Sequence, residues 1–254
     1  MKIQFPEETA DVKRIKVELI RFMMAYKFAV EEINTKINIL QQEFQYIHEY
    51  NPIEHVKSRV KNPESIFKKI HRKGYEVSLD SIRENIRDIA GIRITCSFIS
   101  DIYKISRMLQ EQKDITVVEV KDYIENPKQN GYRSLHLIIQ IPIFMSDREE
   151  NVYVEIQIRT IAMDFWASLE HKIYYKYNQE IPHRLVGELK EAAKSATELD
   201  VKMESIHHEV NEIKESSEFD QVIQEFNMGE EDMHLPFDLF KLTQQSQMKK
   251  KGGS

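Results

Sequence analysis

Apolar residues recur at steps of three and four near the start of the chain, which predicts a long amphipathic helix from about Asp11 to Tyr50. Asn51-Pro52 ends this pattern, because the residue before a proline avoids helical backbone. A second helical segment is predicted from His55 to Val60. A third is predicted from Pro63, a residue favoured in the first helical turn, to Arg72, and it stops at Gly74.

Short apolar runs bounded by polar residues replace the helical pattern in the middle of the chain, and they predict strands. The four predicted strands run from Ala90 to Phe98, Ile115 to Val120, Tyr132 to Ile141 and Val152 to Thr160. The remaining predicted helices are a short one capped by Ser78 or Asp80, one from Asp101 to Gln112, one after Ala162, and a long one from about Leu185 to Glu215.

The whole pattern predicts an α+β fold, with a mixed sheet of about five strands, flanking helices, and long N- and C-terminal helices. We divide the chain into an N-terminal helical extension (1–50), a sheet domain (51–180) and a C-terminal helical extension (181–240). The last residues, 241–254, are expected to form a disordered tail. They follow an acidic segment, Glu215 to His234, that holds seven acids and no Lys or Arg.

Composition narrows the class of protein. The chain has 254 residues and a hydrophobic content of 41%, which is enough for a folded core. Its net charge of -6 argues against a general duplex-DNA binder, which needs a basic surface. The one cysteine, Cys96, excludes an internal disulfide framework, and no apolar run is long enough for a membrane span. We therefore expect a cytoplasmic protein that binds neither membranes nor duplex DNA.

A concentrated basic segment between His55 and Lys73 contrasts with the acidic chain around it. It holds seven Lys or Arg and one acid. Within it, Ser65 lies in a helical first turn, where free backbone N–H groups and the positive end of the dipole favour a phosphate. We expect this segment to bind a polyphosphate, and a solvated helix face is the alternative. The candidate ligands are Arg59, Lys61, Ser65, Lys69 and Arg72.

Two carboxylates are candidates for a metal site. Asp88 precedes one predicted strand and Glu155 lies on another, and Mg²⁺ takes oxygen ligands, typically one or two carboxylates with phosphate oxygens. Glu155, Gln157 and Arg159 alternate with apolar residues, so we expect their side chains on one face of a strand. The alternatives are a turn acid paired with a neighbouring arginine for Asp88, and a wet strand face for Glu155.

A second polar group surrounds the loop before the strand that is predicted to start at Tyr132. It combines an aromatic ring with cations, which suits a base stacked on the ring and phosphates on the cations. A core tyrosine with flanking surface lysines is the alternative. The group comprises Lys121, Lys128, Asn130, Tyr132, Arg133 and His136.

Over roughly residues 53–177, the chain resembles the synthetase domain of the RelA/SpoT family in its short, single-domain form. The resemblance rests on five pieces in the family's order. These are Ser58-Arg59-Val60-Lys61 with Ser65 and Lys69, Arg87 to Arg93, Lys121 to Ile124, Lys128 to His136, and Glu155 to Thr160. The resemblance implies Mg²⁺-dependent transfer of pyrophosphate from ATP to the 3′-hydroxyl of GDP or GTP. The products would be AMP and the alarmones ppGpp or pppGpp, which serve bacterial stringent-response signalling.

The resemblance also implies a role for each candidate residue on the donor side. Arg59 would stack on adenine, and Arg93 would lie near the transferred group. Asp88 would ligate Mg²⁺, and Glu155 would touch the metal and orient or deprotonate the 3′-hydroxyl. The phosphates of ATP would be held by Lys61, Ser65, Lys69 and Arg72.

On the acceptor side, the resemblance implies that Tyr132 stacks on guanine and that Asp164 accepts from guanine N1–H and N2–H. Asn130 and Gln157 would complete the binding site for GDP or GTP. The 5′ phosphates of the acceptor would be faced by Lys121, Lys128 and His136.

Longer members of the family also carry a hydrolase domain with a His-Asp metal motif. This sequence has no His-Asp dipeptide and little length before Ile53, so we expect synthesis without hydrolysis. The apolar stripes on residues 19–47 and 185–213 exceed what one small sheet needs to cover, which predicts a homo-oligomer. The family resemblance implies a tetramer.

Two competing hypotheses remain open on the sequence. The first is a non-catalytic oligomer that binds guanine nucleotides or single-stranded RNA. The second is another nucleotidyl-transferring enzyme on a related fold. Two carboxylates beside polyphosphates weaken binding unless a metal bridges them, so Asp88 and Glu155 together favour catalysis.

Overall fold

The four apolar runs between residues 90 and 160 form strands, and a fifth strand precedes them. The structure is a computed structural model that describes residues 7–48, 50–175 and 182–217, with the pairs 227–228 and 231–232. The tail that was expected over residues 241–254 lies outside the described residues.

The described elements follow the predicted order with one exception. The helices are α1 (Glu7–Ile47), α2 (Pro63–Lys73), α3 (Leu79–Asn85), α4 (Ile99–Gln110), α5 (Ile161–Tyr175) and α6 (His183–Ser217). The strands are β1 (Ile53–Val60), β2 (Ala90–Cys96), β3 (Thr116–Asp122), β4 (Leu135–Phe144), β5 (Glu149–Thr160) and the two-residue strands β6 (Asn227–Met228) and β7 (Glu231–Asp232).

The main sheet has five strands in the order β1-β2-β5-β4-β3. Its central strands β2 and β5 are parallel, and the other neighbouring pairs are antiparallel. This confirms the α+β prediction with a mixed five-stranded sheet. One boundary was wrong: β4 starts at Leu135, so Tyr132 lies in the loop before the strand.

The segment from His55 to Val60, predicted as helical, is the edge strand β1. Its apolar residues Ile53, Val56 and Val60 are spaced by three and four, which is the spacing of a helix. A bulge causes this spacing: the pairing of β1 with β2 is irregular between Ile53 and His55, where β1 has one extra residue. Such a bulge turns Ile53 to the same face as Val56 and Val60. Three β-branched residues also favour a strand.

Local signals fix the ends of the short helices. The side chain of Asn62 accepts a hydrogen bond from the Ser65 N–H and caps α2, which ends at Gly74 in a left-handed conformation (φ 70°). Of the two caps proposed for the next helix, Ser78 is the one used, because its hydroxyl accepts from the Ser81 N–H at 3.1 Å.

The core lies between one face of the sheet and the helices α1 and α4. On α1 the buried stripe includes Phe22, Ile33 and Ile37, and the α4 contribution includes Ile102 and Ile105. Burying each of these side chains contributes about 1.5–3 kcal/mol. Among the described residues, none of the helices has the length and apolar character that a bilayer crossing requires.

Candidate active site

One face of the sheet carries the polar side chains that the strand pattern predicts. On β5, Val154, Ile156 and Ile158 are fully buried. Because successive side chains in a strand point to opposite faces, the half-buried Glu155 and Gln157 lie on the other side of the sheet. The predicted two-faced character of this strand is therefore confirmed.

Neighbouring strands extend this polar face through their register. Arg93 of β2 pairs with Gln157, and His136 of β4 pairs with Gln157 from the other side. Lys57 of β1 pairs with Arg93, and Lys121 of β3 pairs with His136. Side chains at paired positions project to the same face, so one row of five polar residues crosses all five strands.

A cavity of about 230 Å³ opens on this face. Gly91 forms its floor, because it lies between Arg59 and Glu155 in the register and has no side chain to fill the space. The cavity is lined by Lys57, Ser58, Arg59, Asp88, Gly91, Ile92, Arg93, Glu155 and Gln157. The structure thus brings five of the predicted site residues together: Arg59, Asp88, Arg93, Glu155 and Gln157.

Asp88 lies among cations at one side of this cavity. Its Oδ2 contacts Lys61 Nζ at 2.6 Å and Lys69 Nζ at 2.7 Å, whereas its Oδ1 is buried without a hydrogen-bond partner. Burial raises the pKa of Asp88, but the hydrogen bonds from Lys61 and Lys69 and their charges lower it by more, so the net shift is downward. Asp88 is therefore a carboxylate at neutral pH, with one oxygen that no protein group satisfies.

Glu155 is held from both sides. Its Oε1 lies 3.3 Å from His136 Nδ1, and its Oε2 accepts from Gln157 Nε2 at 3.0 Å. Burial raises the pKa of Glu155, while the hydrogen bonds from His136 and Gln157 lower it by more, so the net shift is downward. The charge of Asp88 opposes this lowering, which indicates that the two carboxylates are close enough to interact.

These two carboxylates fit a hard divalent cation such as Mg²⁺. Both line one cavity, and the unpartnered Asp88 Oδ1 is a natural oxygen ligand. No group of three or more His, Cys, Asp or Glu that could hold a metal occurs in the described part of the chain. A cation here would therefore need oxygens from water or from a phosphate to complete its coordination, which is the usual arrangement for Mg²⁺.

Of the basic residues predicted to bind phosphates, only some reach this cavity. Lys61 and Lys69 contact Asp88, and Arg59 lines the wall. Ser65 and Arg72 are exposed on the same face of α2 as Lys69, beyond the lining residues. The expectation that the Ser65 N–H is free was wrong, because Asn62 Oδ1 accepts from it at 2.8 Å.

The loop before β4 holds Tyr132 at the other end of the polar face. The Lys128 ammonium lies 4.6 Å from the Tyr132 ring centroid, and the Tyr132 hydroxyl lies 2.8 Å from His136 Nε2. Asn130 Oδ1 accepts from the Tyr132 N–H at 3.2 Å, and its Nδ2 donates to Glu170 at 3.1 Å. Burial raises the pKa of Tyr132.

Lys121 is less closely tied to this group. Its ammonium pairs with Glu119 at 3.0 Å and is largely exposed, although its position in β3 is opposite His136. Tyr123, which was not among the candidates, packs edge-on against His136 with ring centroids 5.1 Å apart. Its ring also lies under Lys128, at 4.6 Å.

Arg159 was placed on the polar face of β5 by the sequence pattern but was assigned no role. It is 2% exposed, and its guanidinium donates to Gln157 Oε1 at 2.6 Å and to the Tyr132 hydroxyl at 3.0 Å. It also lies 3.4 Å from Asp164 Oδ1, which Arg93 approaches to 3.1 Å. The alternation of Glu155, Gln157 and Arg159 was the signal that could have identified it.

Comparison with known proteins adds an independent finding. Residues 58–180 match a family described as "Region found in RelA / SpoT proteins". The chain is 55% identical over 201 residues to GTP pyrophosphokinase YwaC of Bacillus subtilis (strain 168), with 79% of this chain and 96% of that protein covered.

Solved structures are similar over the same part of the chain. Small alarmone synthetase 1 of Bacillus subtilis, bound to its product pppGpp, superposes with a TM-score of 0.71 at 42% identity, covering 76% of this chain and 98% of the other. The same synthetase bound to AMPCPP has a TM-score of 0.65 at 39% identity, covering 77% and 98%.

Proposed function

The chain belongs to the RelA/SpoT family, and from this premise we propose that it transfers pyrophosphate from ATP to the 3′-hydroxyl of GDP or GTP. AMP is released, and ppGpp or pppGpp is formed for stringent-response signalling. The observation that carries the proposal is the pair Asp88 and Glu155, two ionised carboxylates that line one cavity between a basic wall and an aromatic loop. A relative solved with pppGpp supports the assignment of the product.

ATP is assigned to the basic side of the cavity. Arg59 on β1 is exposed at the wall, where a guanidinium can stack on adenine. We assign the phosphates to Lys61 and Lys69, with Ser65 and Arg72 further along α2. Arg93, between the two halves of the site, is assigned to the transferred group.

The ion pairs of Asp88 suggest how the site binds the donor nucleotide, ATP. Lys61 and Lys69 both pair with one Asp88 oxygen in the structure. When ATP binds with Mg²⁺, the lysines are expected to turn to phosphate oxygens and the carboxylate to the cation. Asp88 and Glu155 would hold the cation, which would supply charge neutralisation for the polyphosphate. The exchange keeps Asp88, Lys61 and Lys69 paired in both states.

GDP or GTP is assigned to the aromatic side. The ring of Tyr132 is proposed to stack on guanine, and Asp164 is proposed to accept hydrogen bonds from guanine N1–H and N2–H. Both arginine contacts of Asp164 are made to Oδ1. Gln157 and Asn130 complete the site, and we assign the acceptor's 5′ phosphates to Lys121, Lys128 and His136.

In the proposed reaction, the 3′-oxygen of the acceptor attacks the β-phosphorus of ATP, and the bond to the α-phosphate oxygen breaks. AMP leaves with that oxygen, and the 3′-hydroxyl proton passes to Glu155. The low pKa of Glu155 keeps it ionised and able to accept at neutral pH. Transfer of this kind depends on positioning and charge neutralisation more than on covalent chemistry.

The competing function is a nucleotide or single-stranded RNA binder without turnover. The test measures AMP release from ATP with Mg²⁺ in the presence of GDP, 3′-deoxy-GDP or single-stranded RNA. AMP is expected with GDP alone, because 3′-deoxy-GDP lacks the attacking 3′-oxygen and single-stranded RNA lacks the guanosine 5′-diphosphate that the acceptor site is proposed to bind. AMP release that is equal with 3′-deoxy-GDP, or absent with all three, would refute the proposal.

Three further assignments belong to the same proposal. Residues 51–180 are the catalytic unit. The flanking regions 1–50 and 181–240, which carry the long helices α1 and α6, contribute to a homo-oligomer, which we take to be a tetramer. The reaction is placed in the cytoplasm, and the single cysteine, Cys96, is buried and free, as suits a reducing compartment.

A further inference from the structure

The buried guanidinium of Arg159 is costly for the fold. It is 2% exposed, and its Nε is buried without a hydrogen-bond partner. Its nearest carboxylate, Asp164, is shared with Arg93. Removing a charge from water costs several kcal/mol unless it is well paired, and an apolar residue of similar size often packs as well. Stability alone therefore does not account for an arginine here.

What Arg159 does provide is a fixed direction for the hydrogen bonds around Glu155. An arginine can only donate, so the Gln157 atom that it contacts at 2.6 Å must be the amide oxygen. The amide nitrogen of Gln157 is then turned towards Glu155 Oε2, to which it donates at 3.0 Å. One oxygen of Glu155 is oriented by this route.

A second route from the same guanidinium reaches the other oxygen. Arg159 donates to the Tyr132 hydroxyl at 3.0 Å, so that hydroxyl has its own proton free to donate to His136 Nε2, 2.8 Å away. His136 Nδ1, on the other side of the same ring, faces Glu155 Oε1 at 3.3 Å. The contacts of Arg159 therefore extend through Tyr132 and His136 to the second oxygen of Glu155.

Both routes begin on one side chain and end on the two oxygens of one carboxylate. The guanidinium also lies 5.4 Å from the Tyr132 ring centroid, so it supports the ring from below as well as through its hydroxyl. We propose that Arg159 is a positioning residue that sets the orientation of Glu155 and of the Tyr132 ring together. The inference rests on the proposed function and adds to it a residue that couples the acceptor site to the reacting groups.

The first variant to test is Arg159→Lys, with Arg148→Lys as its matched control. Arg159 Nη2 donates to both Gln157 and Tyr132, and Nη1 contacts Asp164, so the rigid guanidinium plane fixes the direction of all these contacts. Lysine keeps the charge, but its ammonium lies on a flexible stem without that plane and does not fix these directions. Arg148 also makes a forked contact, to Glu150 and Asp147, at the far end of the β5 hairpin. We expect Arg159→Lys to lower kcat about 10- to 100-fold with KM for ATP unchanged, as for the loss of other positioning residues. Arg148→Lys should keep kcat within about twofold.

A double-mutant cycle separates positioning from a general effect on folding. If Arg159 acts through Tyr132 and Gln157, then Arg159→Lys should lower kcat by less than about threefold in a Tyr132→Phe, Gln157→Met background. Tyr132→Phe alone, which leaves Arg159 in place, should already lower kcat at least about threefold by breaking the route to His136.

The outcomes distinguish this inference from the proposed function. A wild-type chain that makes no AMP from ATP and GDP would overturn the proposed function. With an active wild type, the proposed function stands and only the role of Arg159 is tested. That role is rejected if Arg159→Lys keeps more than about a third of kcat, or if its effect in the double-mutant cycle is fully additive. Should Arg159→Lys fail to fold by circular dichroism, unchanged kcat in Tyr132→Phe would be sufficient to reject the inference.

Discussion

At the scale of single residues, the site is an arrangement of opposed charges in which each carboxylate has its own partners. Asp88 is paired with two lysines, and Glu155 contacts His136 and Gln157. This difference supports different tasks, because the lysine ammonium groups can move to a phosphate, whereas the contacts from His136 and Gln157 fix the direction of the Glu155 carboxylate. We therefore assign proton transfer to Glu155. Asp88 is assigned to the part of the site that binds the metal and the phosphates.

Glu155→Gln is expected to abolish synthesis while leaving nucleotide binding largely intact. The amide keeps the shape of the side chain but loses the charge for the metal and the basicity for the hydroxyl. We expect kcat to fall by several orders of magnitude, measured as AMP release under saturating ATP and GDP. More than about a tenth of wild-type activity would mean that Glu155 is only a polar strand residue.

Arg59→Ala and Tyr132→Ala should separate the two substrates. Each variant loses one stacking surface, which costs about 1–3 kcal/mol, or roughly tenfold to a hundredfold in one affinity. Arg59→Ala should weaken the binding of a non-hydrolysable ATP analogue, and Tyr132→Ala that of GDP, both measured by titration calorimetry. Tyr132→Phe is the control, because it keeps the ring. If Tyr132→Ala weakened ATP and left GDP unchanged, our division of the pocket would be reversed.

The site residues that were predicted from the sequence and the one that was not differ in how far along the chain their contact partners lie. Glu155 and Gln157 follow from strand alternation, which is a local property. The contacts of Arg159 join the loop residue Tyr132, the strand residue Gln157 and the helix residue Asp164. Of these three partners, only Gln157 is related to Arg159 by the local alternation of the strand. The contacts of Arg159 therefore depend on the tertiary fold. The sequence pattern shows only that Arg159 is the third polar position on this face of the strand.

At the scale of elements, the long helices and the central strands were predictable because their burial repeats over many residues. The edge strand β1 was not, since a bulge gave its three apolar residues helical spacing. A short edge element buries few side chains, and its type is decided by pairing with β2 rather than by its own pattern. The site depends on this element, because β1 carries Arg59 opposite Gly91.

The loop before β4 depends on a close approach to α6, and Gly131→Ala should disrupt it. Gly131 has φ 90°, and a Cβ there would lie 2.6 Å from the Ala193 Cβ. We expect a loss of about 1–3 kcal/mol in stability and weaker GDP binding, because the loop carries Tyr132. Thermal unfolding and GDP titration measure the two effects.

Gly187→Ala is the matched control for this prediction. It lies within α6, and a Cβ there would meet nothing within 4 Å. Alanine should stabilise the helix by about 0.5–1 kcal/mol and leave GDP affinity unchanged. Equal behaviour of the two variants would show that the approach of the loop to α6 is unimportant.

At the scale of the whole molecule, apolar side chains remain exposed on both long helices. Val12 and Ile15 on α1 are 64% and 59% exposed, and Leu199 and Val201 on α6 are 54% and 55% exposed. Stripes of this kind are usually covered in an assembly. Light scattering is expected to report a tetramer, and a monomer at micromolar concentration would contradict the assembly. Ile15→Glu with Val201→Glu should dissociate it, whereas the exposed Val77→Glu should not.

The central claim is that this face of the sheet joins the β- and γ-phosphates of ATP to the 3′-oxygen of a guanine nucleotide. The most direct measurement incubates the chain with Mg²⁺, GDP and ATP labelled at the γ-phosphorus, and then separates all nucleotides. We predict AMP and ppGpp in equal amounts, with the label entirely in ppGpp. Label in inorganic phosphate or in GTP, with ADP in place of AMP, would contradict the account.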